Sequence, residues 1–303
     1  MNDHPIRSGT WRMLAAMALS GTIGALVVES GQPPLVVVLF RCAIGGAALL
    51  AWLAWTRGWR PLTWRAIAWL LLGGAALVAN WLCLFSAYRF TPISVATVVY
   101  HTQPFMLLLL AAALGTERLD GRRLPWLALA MAGVLLSSGL GADGLDGASW
   151  SGVALAAAAA ALYAVATIAT QKLQHLPSAQ IAALQMGLGV VLLAPVAWPF
   201  TWPAGAVALG ALATLGLVHT AFMYTLMYAA FQRLPASSLA MLSFVYPAVA
   251  LLVDLAWFGA WPQPLQWLGM GLILAAVLAH KRAGAAAAAA PRAAASTGIG
   301  RAA

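Results

Sequence analysis

Apolar runs of membrane-spanning length follow one another along almost the whole chain. A bilayer core requires about 20 apolar residues for each helical span, and a lone helix satisfies its own backbone hydrogen bonds in lipid. The sequence therefore predicts an all-α membrane protein with ten transmembrane helices, here called spans one to ten. They lie at about 12–28, 34–55, 66–88, 93–114, 124–140, 150–170, 178–197, 205–230, 236–258 and 265–280.

The composition excludes a soluble fold of this size. Charged residues make up 8% of the chain, whereas a soluble domain carries about 25%. The net charge of +9 comes from basic residues in short loops, so it does not indicate a nucleic-acid partner. Cys42 and Cys83 fall inside apolar runs and no metal-ligand spacing is present, so we expect no disulfide, metal or cofactor. The run that begins near Met13 is expected to be a retained first span.

The distribution of Lys and Arg predicts the orientation, because cytoplasmic loops carry an excess of these residues. If the N-terminus is cytoplasmic, every Lys and Arg except Arg41 and Arg89 falls in a cytoplasmic segment, whereas Glu29, Asp143 and Asp146 fall in outer loops. We therefore expect a multi-pass protein of a bacterial inner membrane with both termini in the cytoplasm.

Two proline-punctuated segments lie 143 positions apart and can be read in register. The first, A-Y-R-F-T-P-I-S-V…H-T-Q-P-F, starts at Ala87, and the second, A-F-Q-R-L-P-A-S-S…V-Y-P-A, starts at Ala230. Ser94 matches Ser237. Such a duplication is typical of transporters built from repeats, with the substrate path between them. The prolines that match in pairs are predicted gates or hinges: Pro92 with Pro235, and Pro104 with Pro247.

Five spans in each repeat have a topological consequence. The first repeat begins inside and the second begins outside, so the two copies are expected to have inverted topology. A shift of 144 also places Arg41 opposite Gln185. The expected parts are a cytoplasmic N-terminal segment (1–11), a first five-helix repeat (12–140), a second five-helix repeat (150–281) and a disordered, Ala-rich cytoplasmic tail (282–303) with no role in transport.

At these positions the chain resembles the EamA-type, ten-helix transporters of the drug/metabolite transporter superfamily. The resemblance rests on Arg41 in span two, the pattern N-W…F-S-A-Y-R-F-T-P from Asn80, Q-P at Gln103, L-G-T-E-R-L around Glu117, and Y-P…L-G-M-G from Tyr246. It covers about residues 12–281. It implies a membrane carrier similar to exporters of amino acids and other small metabolites.

The second copy departs from the first at two positions. Ala260 stands where Glu117 would align, and Asp254 faces Ala111. Related families handle very different solutes. The resemblance therefore implies transport, and it does not specify a substrate.

Polar side chains in span four are candidates for the substrate site, because polar groups in hydrocarbon are costly. His101 and Gln103 lie beside Pro104, whose missing backbone donor permits a bend. Tyr100 precedes them. The equivalent site in the second copy carries Tyr246 and a second aromatic residue. A polar wall opposite an aromatic wall suits an amphipathic organic solute better than a bare ion.

Further candidates lie in spans three, six and eight. They are Asn80, Trp81, Tyr163, His219 and Tyr224. The offset of 143 places Trp81 opposite Tyr224, and such aromatic pairs either stack on a substrate or pack the bundle. The central cavity is expected between spans three, four, eight and nine, with help from spans one and six.

Arg41 has two interpretations. It either contacts an anion or a carboxylate in the cavity, or it is structural, which the neutral Gln185 in the second copy favours. His101 and His219 are candidates for proton coupling, because imidazole changes charge near neutral pH.

These observations predict a secondary-active carrier that exports a small polar or amphipathic metabolite by alternating access. A proton gradient or a substrate gradient would drive it, since no nucleotide-binding motif is present. Catalytic motifs such as H-E-x-x-H and G-x-S-x-G are absent from the sequence, so we do not expect an enzyme. The expected partners are a small-molecule substrate and the lipid bilayer, and a homodimer is left open. A broad-specificity drug exporter and a membrane-embedded lipid-handling enzyme remain as alternatives.

Overall fold

The computed structural model describes residues 4–118, 120–139 and 149–297, and within these ranges the chain is helical with no strand. The helices follow the ten predicted apolar runs. They are His4–Gly21 and Ile23–Ser30 (span one), Pro34–Thr56 (two), Trp64–Ala87 (three), Ile93–Tyr100 and Gln103–Ala113 (four), Leu124–Ser137 (five), Trp150–Gln171 (six), Ser178–Ala197 (seven), Ala206–Gly216, the π-helix Leu217–Phe222 and Met223–Phe231 (eight), Ala236–Ser243 and Val245–Phe258 (nine), and Pro264–Thr297 (ten).

The lengths of these helices confirm the all-α membrane fold. Eight of the described segments are long and apolar enough to cross a membrane, and Leu124–Ser137 is a shorter apolar helix. The last helix, Pro264–Thr297, packs against Leu124–Ser137, so spans five and ten form a pair. Asp143 and Asp146, which the sequence analysis places in an outer loop, lie outside the described residues.

The helix of span ten continues past Lys281 as far as Thr297. The backbone is therefore helical over part of the segment for which the sequence predicts a disordered tail. The composition gives a reason, because the segment consists largely of alanine, the residue with the highest intrinsic helix propensity. That the tail has no role in transport stays a prediction.

The contacts between helices repeat when the two halves are exchanged. Span three packs against span six, and its counterpart, span eight, packs against span one, which is the counterpart of span six. In the same way, span four contacts span six, and its counterpart, span nine, contacts span one. Spans two and seven, four and nine, and five and ten each contact their own counterpart. Because each half has an odd number of spans, the second half runs in the opposite direction. The fold is therefore two inverted five-helix repeats.

Spans four and nine are interrupted at equivalent positions. The first breaks between Tyr100 and Gln103, and the second breaks at Phe244. Pro104 then lies in the first turn of its new helix, where a missing backbone N–H costs no intrahelical bond. The bend predicted beside Pro104 is thus observed as a break in the helix.

Two equivalent glycines bring the first helix of each repeat onto the proline segment of the other repeat. A Cβ atom at Gly9 would lie 3.0 Å from a side-chain carbon of Leu234, and one at Gly152 would lie 2.7 Å from Cβ of Thr91. Small residues permit such close helix approach. The connection between spans eight and nine is therefore packed against span one, and the connection between spans three and four against span six.

Candidate functional site

The interruptions of spans four and nine meet at the interface between the repeats. The imidazole of His101 stacks on the ring of Tyr246, with centroids 5.3 Å apart and an interplanar angle of 10°. Beside them, Phe105 and Phe244 make an edge-to-face contact at 6.4 Å. The polar wall of one repeat and the aromatic wall of the other are therefore in direct contact.

Two buried side chains near this contact have polar atoms without a protein partner. The Nδ1–H group of His101 donates to the Thr97 carbonyl at 2.7 Å, and its Nε2 is unpartnered. The amide nitrogen of Asn80 donates to the Ala159 carbonyl at 2.7 Å and to the Tyr100 hydroxyl at 3.3 Å, and its Oδ1 is unpartnered. An unsatisfied buried polar atom costs about 1–3 kcal/mol. Such atoms therefore indicate a place where a polar ligand can bind.

Tyrosine rings surround these atoms. The rings of Tyr100 and Tyr163 lie 6.2 Å apart, and Tyr224 makes an edge-to-face contact with Tyr228 at 5.4 Å. Tyr100, Tyr163 and Tyr246 are only half-buried, although they lie among the helices of the bundle. Part of each side chain is therefore accessible, and the rings present apolar faces next to the unpartnered polar atoms.

The two ends of the bundle are closed unequally. At one end, the first helix of span nine packs against the second helix of span four, and the last helix of span eight contacts span six. At the other end, the equivalent pairs are the first helix of span four with the second helix of span nine, and span three with span one. These pairs make no contact of similar extent. Because the two halves share the same arrangement of helices, this difference indicates an opening between spans one, three, four and nine.

The closed end carries a network of charged groups. Glu117 Oε2 accepts a hydrogen bond from the backbone N–H of Ser237 at 3.0 Å. Arg123 Nη1 donates to the Ser237 hydroxyl at 2.6 Å and lies 3.7 Å from Glu117 Oε1. Arg123 Nε also lies 3.4 Å from Asp120. Ser237 is in the first turn of a helix whose N-cap, Pro235, provides no side-chain hydrogen bond. The Glu117 carboxylate therefore satisfies a free N–H at the positive end of span nine.

A cavity of about 600 Å³ lies at the same end of the protein. The pKa of Arg233 in its wall is lowered by partial burial and by the nearby Arg12. Both repeats contribute to the wall, which mixes basic, acidic and amide side chains. The lining residues are Thr116, Glu117, Ile168, Gln171, Lys172, Gln174, His175, Gln232, Arg233, Leu234, Pro235 and Ala236.

The predicted site residues fall into two groups. The first group surrounds the contact between spans four and nine and consists of Asn80, Tyr100, His101, Tyr163 and Tyr246. The second lies where span two meets span eight and contains Arg41 and His219. The ring of His219 contacts Thr22 of span one, and its role in the same cavity as His101 stays a prediction.

The remaining predicted residues lie nearby. Gln103 is buried at the start of the second helix of span four, and Trp81 is half-buried against the main hydrophobic core. Gln185 accepts a hydrogen bond from the Tyr228 hydroxyl. Tyr224 is buried next to Tyr228. Within the described ranges, no group of His, Cys, Asp and Glu side chains could hold a metal ion.

The sequence analysis missed the partners of Glu117. Glu117 stands out in the L-G-T-E-R-L pattern and Ser237 in the duplicated segment, but 120 positions separate them. Only the packing of span nine against span four brings them together. Proline at the N-cap position, Pro235, has no side-chain acceptor for the free N–H groups of the first turn. This was the one local signal that an acceptor from elsewhere in the chain was needed.

Ten spans in two inverted halves, with broken helices and unpartnered polar atoms at their interface, are the architecture of a membrane transporter. The chain belongs to the EamA-like transporter family, whose sequence profile matches residues 7–139 and 150–279. The two matched ranges correspond to the two repeats.

Individual proteins and a solved structure show the same similarity. The chain is 29% identical to the uncharacterized transporter YxxF of Bacillus subtilis (strain 168), over 87% of this chain and 86% of that protein. It is 30% identical to the uncharacterized transporter YwfM of the same organism, over 86% and 88%. The pseudopaline exporter CntI of Pseudomonas aeruginosa is 26% identical over 70% of this chain and 75% of its own. A crystal structure with 24% identity superposes with a TM-score of 0.80, covering 91% of this chain and 98% of the other, which supports the fold.

Proposed function

We propose that the protein is a secondary-active carrier that exports small metabolites, such as amino acids or related compounds, across a bacterial inner membrane. Both termini lie in the cytoplasm. The observation that carries the proposal is the pair of buried, unpartnered polar atoms, His101 Nε2 and Asn80 Oδ1, at the meeting point of two broken helices. Discontinuous helices at a repeat interface are where transporters bind their substrates.

The chemistry of this site suits a small solute with both polar and apolar parts. His101 Nε2 and Asn80 Oδ1 offer hydrogen bonds. The half-buried rings of Tyr100, Tyr163 and Tyr246 offer apolar faces. A polar ligand would satisfy the two atoms whose burial is otherwise unfavourable, while its apolar part packs against the rings.

The unequal closure of the two ends supports transport by alternating access. In the proposed cycle the structure represents the state that is open to the outside and closed to the cytoplasm. Export then requires the contact of span nine with span four to separate at the cytoplasmic end. The hinges would be the prolines beside the breaks and connections: Pro92, Pro104, Pro235 and Pro247.

The energy source is a proton gradient or a substrate gradient. His101 and His219 are the candidates for proton coupling, because a histidine is the side chain that most readily changes charge near neutral pH. The name of the relative CntI as a pseudopaline exporter supports the outward direction that we propose for this chain.

The test is export from sealed proteoliposomes that contain the full-length protein. The vesicles are loaded with a panel of amino acids and related metabolites, with and without an imposed proton gradient. We expect gradient-dependent loss of at least one solute from protein-containing vesicles and none from empty vesicles. If no solute in the panel moves, the carrier proposal loses its main support.

Two further measurements separate the alternatives. A broad-specificity drug exporter would give overexpressing cells resistance to several unrelated organic cations. A lipid-handling enzyme would form product in detergent solution without any gradient. Either result without metabolite export would replace the proposal.

A further inference from the structure

A second polar cluster lies where spans one, two and eight meet, separate from the contact of His101 with Tyr246. Arg41 Nε donates to the Thr220 hydroxyl at 3.2 Å, and Arg41 Nη2 donates to the His219 carbonyl at 3.5 Å. His219 Nε2 lies 2.7 Å from Thr22 Oγ1. The Thr220 hydroxyl donates to the Leu215 carbonyl at 2.9 Å, which orients it to accept from Arg41. Three spans thus meet in one hydrogen-bonded cluster.

The backbone is irregular at this point in two of the three spans. Thr22 interrupts span one between its two helices, and His219 and Thr220 belong to the π-helix Leu217–Phe222. Single π-helical turns within α-helices are rare and occur frequently at functional sites. Interrupted helices in transporters likewise mark the positions where charged groups of a substrate bind.

The guanidinium group of Arg41 has unused binding capacity. It carries five N–H donors, and the structure gives it two hydrogen bonds, both to neutral oxygen atoms. No described carboxylate forms an ion pair with it, and the ion pairs present are those of Arg123. A charged side chain within a membrane helix is costly, up to about 2.5–3.5 kcal/mol at the centre of the helix. An unpaired cation here therefore favours an anionic partner.

The position of Arg41 argues against a side chain that simply reaches toward the membrane surface. A Cβ atom at Gly45, one turn along the helix, would lie 2.6 Å from Thr220. Spans two and eight are therefore in close contact there, and the Arg41 head group is held between them. Its acceptor Thr220 lies four residues before Tyr224 in span eight, which places the Arg41 head group at the edge of the tyrosine-lined site.

The inverted repeat provides an internal comparison. The positions equivalent to Arg41, His219 and Thr22 are Gln185, Ala76 and Val165. The equivalent helices, spans three and six, are continuous. The same fold therefore forms in the other half without a cation, a histidine or a helix break. The fold does not require this cluster, so a ligand contact is the better explanation for it.

We propose that Arg41, held by Thr220 and His219, binds a carboxylate group of the transported solute. The apolar part of that solute would lie against the tyrosine rings of the central site. The inference rests on the proposed function and deepens it, because it assigns the substrate to the carboxylate-bearing metabolites. Arginine is suited to this role because its planar fork can donate two parallel hydrogen bonds to one carboxylate.

The first test uses a simple probe, benzoate, and its neutral analogue, benzamide. The melting temperature of the full-length protein in detergent is measured as each probe is titrated. We expect benzoate to raise it and benzamide to have little effect, and we expect Arg41→Gln to remove the benzoate response. The matched control is Arg65→Gln, since Arg65 is exposed and contacts only the neighbouring Trp64 ring. Equal responses to both probes, or an unchanged response in Arg41→Gln, would overturn the inference.

The second test uses transport. Proteoliposomes are loaded with an equimolar mixture of amino acids, N-acetyl amino acids and the matching amides, and the exported solutes are identified by mass spectrometry. We expect the solutes with a free carboxylate to be exported at least about tenfold faster than their amides, since a charge-assisted hydrogen bond contributes about 1.5–3 kcal/mol. Arg41→Gln should lose this preference and Arg41→Lys should retain part of it.

The outcomes distinguish this inference from the proposed function. If the amides leave as fast as the acids, the protein is a carrier and the carboxylate site is wrong. If nothing leaves wild-type vesicles, the carrier proposal fails and the inference fails with it. If Arg41→Gln does not fold, Arg41→Lys and the probe titration of the wild-type protein still decide the question.

Discussion

The Glu117 carboxylate accepts a hydrogen bond from the backbone N–H of Ser237 at 3.0 Å, and this contact joins the two repeats at their closed end. The charge of Glu117 faces the positive end of the helix that begins at Ala236. Such an interaction contributes about 1 kcal/mol. It stabilises the state in which span nine is packed against span four.

We therefore expect Glu117→Gln to favour opening of this end. Loss of about 1 kcal/mol corresponds to roughly a fivefold change in the ratio of closed to open molecules. The measurement is the rate at which a thiol reagent labels Leu239→Cys in a Cys42→Ala, Cys83→Ala background, because Leu239 is 1% exposed in span nine. Glu29→Gln is the matched control, since Glu29 accepts from Trp257 outside this network. Equal labelling rates in both variants would contradict the role of Glu117.

The central site leads to a second prediction. His101→Ala and Trp81→Ala should reduce transport while the amount of inserted protein stays unchanged. For His101, loss of a polar contact to the substrate should lower the rate about tenfold. Trp150→Ala serves as a matched control for Trp81→Ala, because Trp150 is 88% exposed. Normal transport in both His101→Ala and Trp81→Ala would show that neither residue contributes to substrate binding.

A sharper variant separates the two contributions of His101. His101→Phe keeps a ring that can stack on Tyr246, and it removes the unpartnered Nε2 atom. We expect a loss of transport close to that of His101→Ala, with a melting temperature nearer to that of the wild type. Full activity in His101→Phe would show that only the stacking matters.

The crossing of spans five and ten gives a prediction about stability. A Cβ atom at Gly133 would lie 2.7 Å from the Gly269 carbonyl oxygen, whereas nothing lies within 4 Å of one at Gly271. Gly133→Leu should therefore destabilise the protein by about 1–3 kcal/mol through overpacking, and Gly271→Leu should not. The readout is the melting temperature in detergent, and equal values for the two variants would show that this crossing can relax.

The orientation is tested independently of transport. A reporter fused after Lys281 is expected in the cytoplasm, and one fused near Asp143 in the periplasm, because the excess of Lys and Arg marks the cytoplasmic side. The reverse pattern would invert the assignment of the closed end, although it would leave the geometry of the site unchanged.

The sequence predicted the elements of this fold well and their local contacts less well. The ten runs, the duplication around Pro92 and Pro235 and the break beside Pro104 follow from hydrophobicity and backbone chemistry, which act over short distances. The π-helix around His219 could not be predicted, because its residues have no distinctive pattern and it forms where span eight packs against Arg41. Whether the predicted site residues bind a substrate stays a prediction.

The charged network around Glu117 has no equivalent at the open end. The positions that match Glu117, Asp120 and Arg123 are the neutral Ala260, Gln263 and Gln266. In the proposed cycle, the barrier at the closed end is therefore partly electrostatic, whereas these three positions give the barrier at the other end no charge pair. Added salt weakens exposed charge pairs, so it should lower the first barrier and leave the second unaffected. In that cycle, the ratio of molecules open at one end to molecules open at the other depends on the ionic strength at the closed end only.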